Sequence, residues 1–508
     1  MSTNLSQLFE SATKASVSVS HSAKSVQSDA TIIPIIYDTK DKGSWLRALS
    51  AVKAPWLPTA LKRVEALKFN PKKRAVMAFD HEGAHRVVLA FWGTGSTFEA
   101  LGWARSCISG ISGSKANSIL LELSNQDLSS DIWLDALISA FTVAQYRQPR
   151  YGKLRKVRKP KELILSVGKP SEGLAQKILK RAFLSAQATN GLRYLSEMAG
   201  NDLTPSALKA LALSLGKEPH MKVTFLSKKD LEKLSAGAFL AVVRGTEEPG
   251  VGIARISYRP KKSGTDKIAL VGKGVTFDTG GNNLKTEGHM LGMNGDMGGS
   301  ATVLSLLWLA QKSEWNIPIE GYVTIAENVI GPTAYRPNDV VVASNGKSIE
   351  VIDTDAEGRM LLADALAMAA KDKPALIMDF ATLTGACVRA IGTLYSGVFS
   401  NKRQMFSALV RAGKESGERV WPFPNDADYG DCLKSRIADI KQCRPSGGSD
   451  HIEAAHFLSQ FVGKVPWVHV DLSAMENEGG LAHVPGKLTG FGVRFSRRFL
   501  ESFFKQTL

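Results

Sequence analysis

The chain has 508 residues, 44% apolar and 22% charged, with a formal net charge of +16. Length and composition describe a soluble globular protein of two or three domains with ample core, and no apolar run approaches the ~18 residues of a membrane span. The four cysteines, Cys107, Cys387, Cys432 and Cys443, form no CxxC pair, which excludes a disulfide framework and a thiolate zinc site and fits a reducing cytoplasm.

The first 28 residues contain nine serines and little apolar material, so residues 1–29 are expected to form a flexible tail. A mitochondrial transit peptide is also Ser-rich and acid-poor, but the first arginine is Arg47; no apolar h-region marks a secretory signal. Residues 30–165 alternate strand-like runs, "TIIPIIYD" and "RVVLAFWG", with helical ones such as "DIWLDALISAFTVAQYR", the pattern of an N-terminal α/β domain.

That domain ends in "RQPRYGKLRKVRKPK", residues 147–161, whose eight basic residues and no acid supply half of the net charge. Pro149, Gly152 and Pro160 support a solvated linker. The rival reading is a phosphate-contacting patch that makes the chain a DNA-binding protein, with or without enzymatic activity. Only Tyr151 interrupts the charges, whereas a base-stacking platform needs more aromatics.

Residues 166–199 have the length and apolar period of a linker helix joining two lobes. From 200 to 508, strands ("KIALVGKGVTF", "IEGYVTIAE", "PALIMDFATL", "PWVHVDLSA") alternate with helices ("SATVLSLLWLAQ", "LLADALAMAAK", "HIEAAHFLSQFV"). Such alternation predicts a larger C-terminal α/β domain with a mainly parallel central sheet, covered by helices on both faces.

Two acidic segments stand out in this second domain. In "VIDTDAEGRM", residues 351–360, Asp353, Asp355 and Glu357 recur at every second position between an apolar pair and a helical pattern. An extended chain would put all three on one face, where like charges need a cation among them. The second segment, "VGKGVTFDTGGNNLKTEGHMLGMNGDMGG" from Val271 to Gly299, has Phe277 at the third glycine position of a GxGxxG and lacks the GKS or GKT of a P-loop, so it is no nucleotide loop. Its Lys273, Asp278, Lys285 and Asp296 stand in a glycine-lined stretch after a strand. Five oxygen ligands in all, with only His289 nearby, suggest a carboxylate-rich site for two divalent ions and hydrolysis by an activated water.

Together "VGKGVTFDTGG", "LK", "NGDMGG" and "DTDAEGR", with "GNDLTPSAL", "ATLTGAC" and "LTGFGVR" around them, resemble the signature of the leucyl aminopeptidase (cytosol aminopeptidase) family over residues 190–500. The resemblance implies a metal-dependent aminopeptidase that removes the N-terminal residue from peptides through a water shared by two metals, zinc or manganese. It implies Asp278 and Glu357 as bridging ligands, Asp355 completing one metal position, and Lys273 and Asp296 completing the other. A ligating lysine must be neutral, which adjacent cations and burial favour. Lys285 would stabilise the oxyanion, Arg359 would hold a bicarbonate that shuttles a proton, and Met293, Thr382, Leu383 and Gly385 would line the substrate pocket. The expected partners are peptides with a free N-terminus and five further copies in a cytoplasmic homohexamer, with no membrane.

Three departures accompany the resemblance. Asp353 stands where the family has Asn, Met360 where it has Leu, and "SDHIEAAHF" (449–457) brings Asp450, His451 and Glu453 near the substrate pocket. His451 and His456, five apart, diverge on a helix and fit no HExxH zinc site, so surface histidines are expected. A two-metal phosphoesterase is the remaining rival, disfavoured because such sites recruit histidine where this cluster has lysine.

Overall fold

A computed structural model describes residues 4–20, 27–82, 85–111, 115–124, 126–128, 132–152, 159–262, 264, 266–286, 288–505 and 508. Residues 153–158 of the basic stretch, on which the DNA-binding reading rests, lie outside the described residues. The chain divides into two compact units: Ser11–Gln187 with Gly479–Gly486, and Met1–Glu10 with Ala188–Glu478 and Lys487–Leu508. The helix Glu172–Glu197 begins in the first and ends in the second.

The first unit is built on β1 (Ser16–Ser20), β2 (Ala30–Ile36), β3 (Val76–His81), β4 (His85–Trp92), β5 (Ser118–Glu122) and β6 (Glu162–Ser166), ordered β1-β6-β5-β2-β4-β3. Every pairing is parallel except β3 with β4. Alternate residues feed two cores: Ile32, Val88 and Ala90 pack with the helices Thr97–Ser109 and Ile132–Ala144, while Ile33, Ile35, Val87 and Leu89 pack with Leu49, Ala60 and Val64. Burial on both faces is what a parallel sheet requires. Pro34 is tolerated in β2 because β5 pairs only as far as Ile32, so its missing N–H breaks no bond to that neighbour.

The flexible tail expected over residues 1–29 is corrected in its described part. Leu5–Ala12 is a helix whose Leu5, Leu8, Phe9 and Ala12 are all buried, and β1 pairs in register with β6. The 5, 8, 9, 12 spacing is one helical face; the serines around it mask the pattern.

The second unit contains β7 (Met221–Ser227), β8 (Gly252–Tyr258), β9 (Ile268–Gly272), β10 (Val275–Asp278), β11 (Ile319–Asn328), β12 (Val340–Val342), β13 (Ser348–Glu350), β14 (Leu376–Ala381), β15 (Ser396–Ser400), β16 (Val420–Pro422), β17 (Ile440–Lys441) and β18 (Trp467–Asp471). Its main sheet runs β16-β15-β18-β14-β9-β11-β8-β7, with β10 beside β11; β12, β13 and β17 form a small sheet. The centre, β18-β14-β9-β11, is parallel, whereas β7 and β8 run antiparallel to their neighbours and β15 runs antiparallel to β18 but parallel to β16. The helices Gly298–Ser313 and Glu357–Lys371 are buried through Ala310 and Ala369 respectively, and all-round burial explains their apolar sequences. No helix among the described residues is long and apolar enough to cross a membrane.

Candidate active site

Lys273 follows the last residue of β9, Asp278 closes β10, and Thr382 follows β14. All three lie at carboxyl ends of strands that run parallel to a neighbour, where open α/β sheets form their ligand crevices. Asp296 precedes the buried helix Gly298–Ser313, and Glu357 opens the helix Glu357–Lys371. Asp278, Asp355 and Glu357 each present an oxygen within 4.8 Å of the others.

Two lysines interleave with four carboxylates. Lys273 Nζ lies 2.8 Å from Asp296 Oδ2 and 2.7 Å from Glu357 Oε1, and donates to the Thr382 carbonyl at 3.0 Å. Lys285 Nζ lies 2.8 Å from Asp278 Oδ2 and 2.5 Å from Asp355 Oδ1. Burial raises the pKa of Glu357, with Asp278 adding to the rise; burial likewise raises Asp296 and Asp355. Burial alone would lower Lys273, but Asp296, Glu357 and Asp278 outweigh it and hold the ammonium above its ordinary value. These carboxylates therefore keep Lys273 charged, and a neutral lysine requires cations among them.

The donor set fits a divalent cation. Glu357 Oε2 is buried without a hydrogen-bond partner, a costly state for a carboxylate oxygen unless an ion takes it. The surroundings fix the remaining oxygens: Asp278 Oδ1 accepts from Asn328 Nδ2 at 2.8 Å and from Gly280 N at 2.9 Å. Gly280 holds φ +86°, and a Cβ there would lie 2.4 Å from the Asn283 carbonyl and 3.0 Å from Asp355 Oδ1. Only glycine satisfies that turn.

The acidic run does not form the single-faced strand expected from its alternation. β13 ends at Glu350, and residues 351–356 form an irregular turn into the helix. Asp353 stands outside the cluster, where its Oδ1 accepts from Asp355 N at 2.8 Å. Gln442, which no sequence signal singled out, organises this turn: its Oε1 accepts from Ile352 N and Asp353 N at 3.1 Å, and its Nε2 donates to the Ala356 carbonyl at 3.0 Å. Thr354 contributes as well, with Oγ1 donating to the Gly280 carbonyl at 2.7 Å. Residues 90 positions apart announce no pairing from one sequence.

Arg359, 3% exposed, donates from Nη2 to Asp450 Oδ1 at 2.7 Å and from Nη1 to the Gln442 carbonyl at 3.3 Å. Two guanidinium nitrogens are thus engaged while Nε is buried without a partner, so a bicarbonate at Arg359 would compete with Asp450. Of the residues expected to line a pocket, Thr382 belongs to the cluster, since its Oγ1 donates to Asp296 Oδ1 at 2.8 Å. Leu383 N donates to Asp471 Oδ1 at 3.3 Å, Gly385 is exposed at the start of the helix Gly385–Ile391, and Met293 is half-buried in the turn before Asp296. His451 is buried, its ring edge-on to Phe423 at 4.6 Å, which corrects the expected surface histidine. Glu453 is buried too and pairs with Arg444 at 2.9 Å.

Residues 190–496 match the family model for the catalytic domain of the cytosol aminopeptidase family. The chain belongs to the cytosol aminopeptidase family. Probable cytosol aminopeptidases of Solibacter usitatus and Parasynechococcus marenigrum are 36% and 34% identical to it, over 81% and 87% of this chain and 85% and 91% of theirs. The solved structure of the bottromycin maturation enzyme BotP in complex with Mn superposes with TM-score 0.79 at 27% identity, covering 94% of this chain and all of that one. As a cytosol aminopeptidase family member, the chain is a leucyl aminopeptidase-type hydrolase, metal-dependent and acting on peptides. The mixed α/β, two-domain architecture with mainly parallel sheets is the one expected from the sequence.

Proposed function

We propose that this aminopeptidase removes the N-terminal residue from peptides with a free amino terminus, using two divalent ions, zinc or manganese. Asp278 and Glu357 would bridge them, with Asp355 completing one position and Lys273 and Asp296 the other. When bound, such a pair lowers the pKa of a shared water and polarises the scissile carbonyl. What supports the reading is the convergence of Asp278, Asp355 and Glu357 oxygens within 4.8 Å beside the unpartnered Glu357 Oε2. BotP, bound to Mn, favours manganese as one of the two candidates.

The chain's own side chains supply positioning and charge. Lys285 is held beside Asp278 and Asp355, and its ammonium can follow an oxygen that becomes negative in the transition state. Burial opposes its charge, but Asp278 and Asp355 keep it protonated. Thr382 braces both Lys273 and Asp296. Met293, Thr382, Leu383 and Gly385 would surround the first residue of the peptide. A cytoplasmic homohexamer belongs to the same reading, and sedimentation of the purified protein tests the assembly.

The deciding assay is release of the N-terminal residue from aminoacyl amides and dipeptides with Mn or Zn, a chelated control and Lys285→Ala. Metal-dependent release that Lys285→Ala loses supports the proposal. Release equal on N-acetylated and free peptides would refute it.

A further inference from the structure

Arg359 carries a charge that water does not reach, so its counter-ion is a structural necessity. Glu357, two residues away, is committed through Oε1 to Lys273. Glu453 is committed to Arg444. The Cys443 thiol faces Arg359, but burial pushes its pKa up to about 11, so it stays neutral. Among the described residues, the one carboxylate ion-paired to Arg359 is Asp450.

Asp450 is built for that place. It is the first residue of the helix Asp450–Ser459, where the helix dipole favours a negative side chain. Its side chain is 38% exposed while that of Arg359 is 3% exposed, so the carboxylate caps a buried cation from the open side. Through Nη1 the same guanidinium holds the backbone of Gln442, whose amide pins Ile352, Asp353 and Ala356, the turn that carries Asp355. The anion on Arg359 is thus tied to the carboxylate cluster by a short chain of named bonds. Arg359 Nε has no partner, but a second anion there would share one guanidinium with Asp450 in the field of Glu357.

We propose that Asp450 is a resident counter-anion that closes the anion seat of Arg359 and positions the Asp355 turn, so that hydrolysis by this chain needs no dissolved oxyanion such as bicarbonate. Asp450 is a positioning residue in this role. The inference rests on the aminopeptidase reading for its consequence, though the seat itself is tested by binding.

The experiment compares metal-loaded full-length protein, wild type, Asp450→Ala, Asp450→Asn and the double variant Asp450→Ala with Arg359→Gln, in carbonate-free buffer. Peptide hydrolysis is followed with and without added bicarbonate or formate, and formate binding is followed by calorimetry. Wild-type hydrolysis is expected to be indifferent to either anion. Asp450→Ala is expected to fall about 10- to 100-fold, as for other partners that orient a metal site, and to recover saturably with formate. Asp450→Asn fills the seat with a neutral amide and falls without recovering. Asp450→Ala binds a formate that neither the wild type nor the double variant binds.

Stimulation of the wild type by bicarbonate overturns the proposal. So does an Asp450→Ala variant at wild-type rate without anion, or one with no added formate binding. If no variant and no wild type hydrolyses any peptide, the aminopeptidase reading fails, while the formate comparison still decides the seat.

Discussion

A Cβ on Gly358 would come within 2.6 Å of Lys273 Cε and 2.9 Å of its Nζ. The first turn of the helix Glu357–Lys371 is therefore cut away at the one position over which the Lys273 side chain lies. Glu357 before the glycine takes that ammonium at 2.7 Å, and Arg359 after it takes Asp450. Three consecutive residues thus serve three parts of one site.

Gly358→Ala should separate folding from activity at this point. Alanine is the better helix former by about 1 kcal/mol, and the colliding atoms are the far end of a flexible side chain, so the fold should persist. The displaced ammonium should cost about 10- to 100-fold in kcat/KM, the usual loss when a metal-site partner is misplaced. Unchanged circular dichroism with wild-type kinetics would show that the contact is idle.

Removing the lysine itself distinguishes two roles. If Lys273 completes one metal position, Lys273→Ala should bind one metal fewer per chain than the wild type, read by elemental analysis after dialysis. Equal occupancy in the two proteins would refute the assignment. In chelated protein the same variant leaves Asp296 and Glu357 buried without their cation, a loss of about 3–5 kcal/mol in unfolding free energy. Adding Mn or Zn should restore part of it by mass action, and restoration by Mg or Ca alone would argue against the expected metals.

The buried N-terminal helix gives a test far from the chemistry. Phe9 is fully buried with its ring edge-on to Trp308 at 5.5 Å, and it fills the space left by Gly191, where a Cβ would meet its ring at 2.4 Å. Phe9→Ala should cost about 3–5 kcal/mol in urea unfolding. A loose tail would make the substitution neutral.

The charged identities of the site are legible in the sequence because a metal cluster needs particular residue types at particular strand ends. Lys273, Asp278, Lys285, Asp296, Asp355 and Glu357 do meet. Illegible are the groups that hold them, since Asn328, Gln442 and Asp450 reach the site across 26 to 91 positions through tertiary contacts. The alternation in 351–357 reads as a strand, but the side chains of Gln442 and Asn283 capture the backbone hydrogen bonds a sheet would have used. The parallel centre of the sheet is legible from continuous apolar runs. The antiparallel edge β7-β8 is not, because β7 is half-exposed and carries no such run.

A further buried pair, His469 with Asp379, sets a pH dependence of stability. His469 Nδ1 lies 2.5 Å from Asp379 Oδ1, both side chains fully buried, and Trp467 Nε1 donates to Asp379 Oδ2 at 2.6 Å. Burial alone would lower the imidazole pKa, but Asp379 and then Asp471 outweigh it, so the folded value lies above 6.5. The folded state therefore binds a proton that the unfolded state releases near pH 6.5. Its stabilisation is fully present below that pH and is lost as pH rises through the folded value, with a slope approaching about 1.4 kcal/mol per pH unit. His469→Gln removes the titrating group. The difference in unfolding free energy between wild type and variant, measured in urea at constant metal concentration, should shrink as pH rises above 6.5. A difference that stays constant or grows across that window would mean His469 is neutral in the folded protein and the pair a plain hydrogen bond.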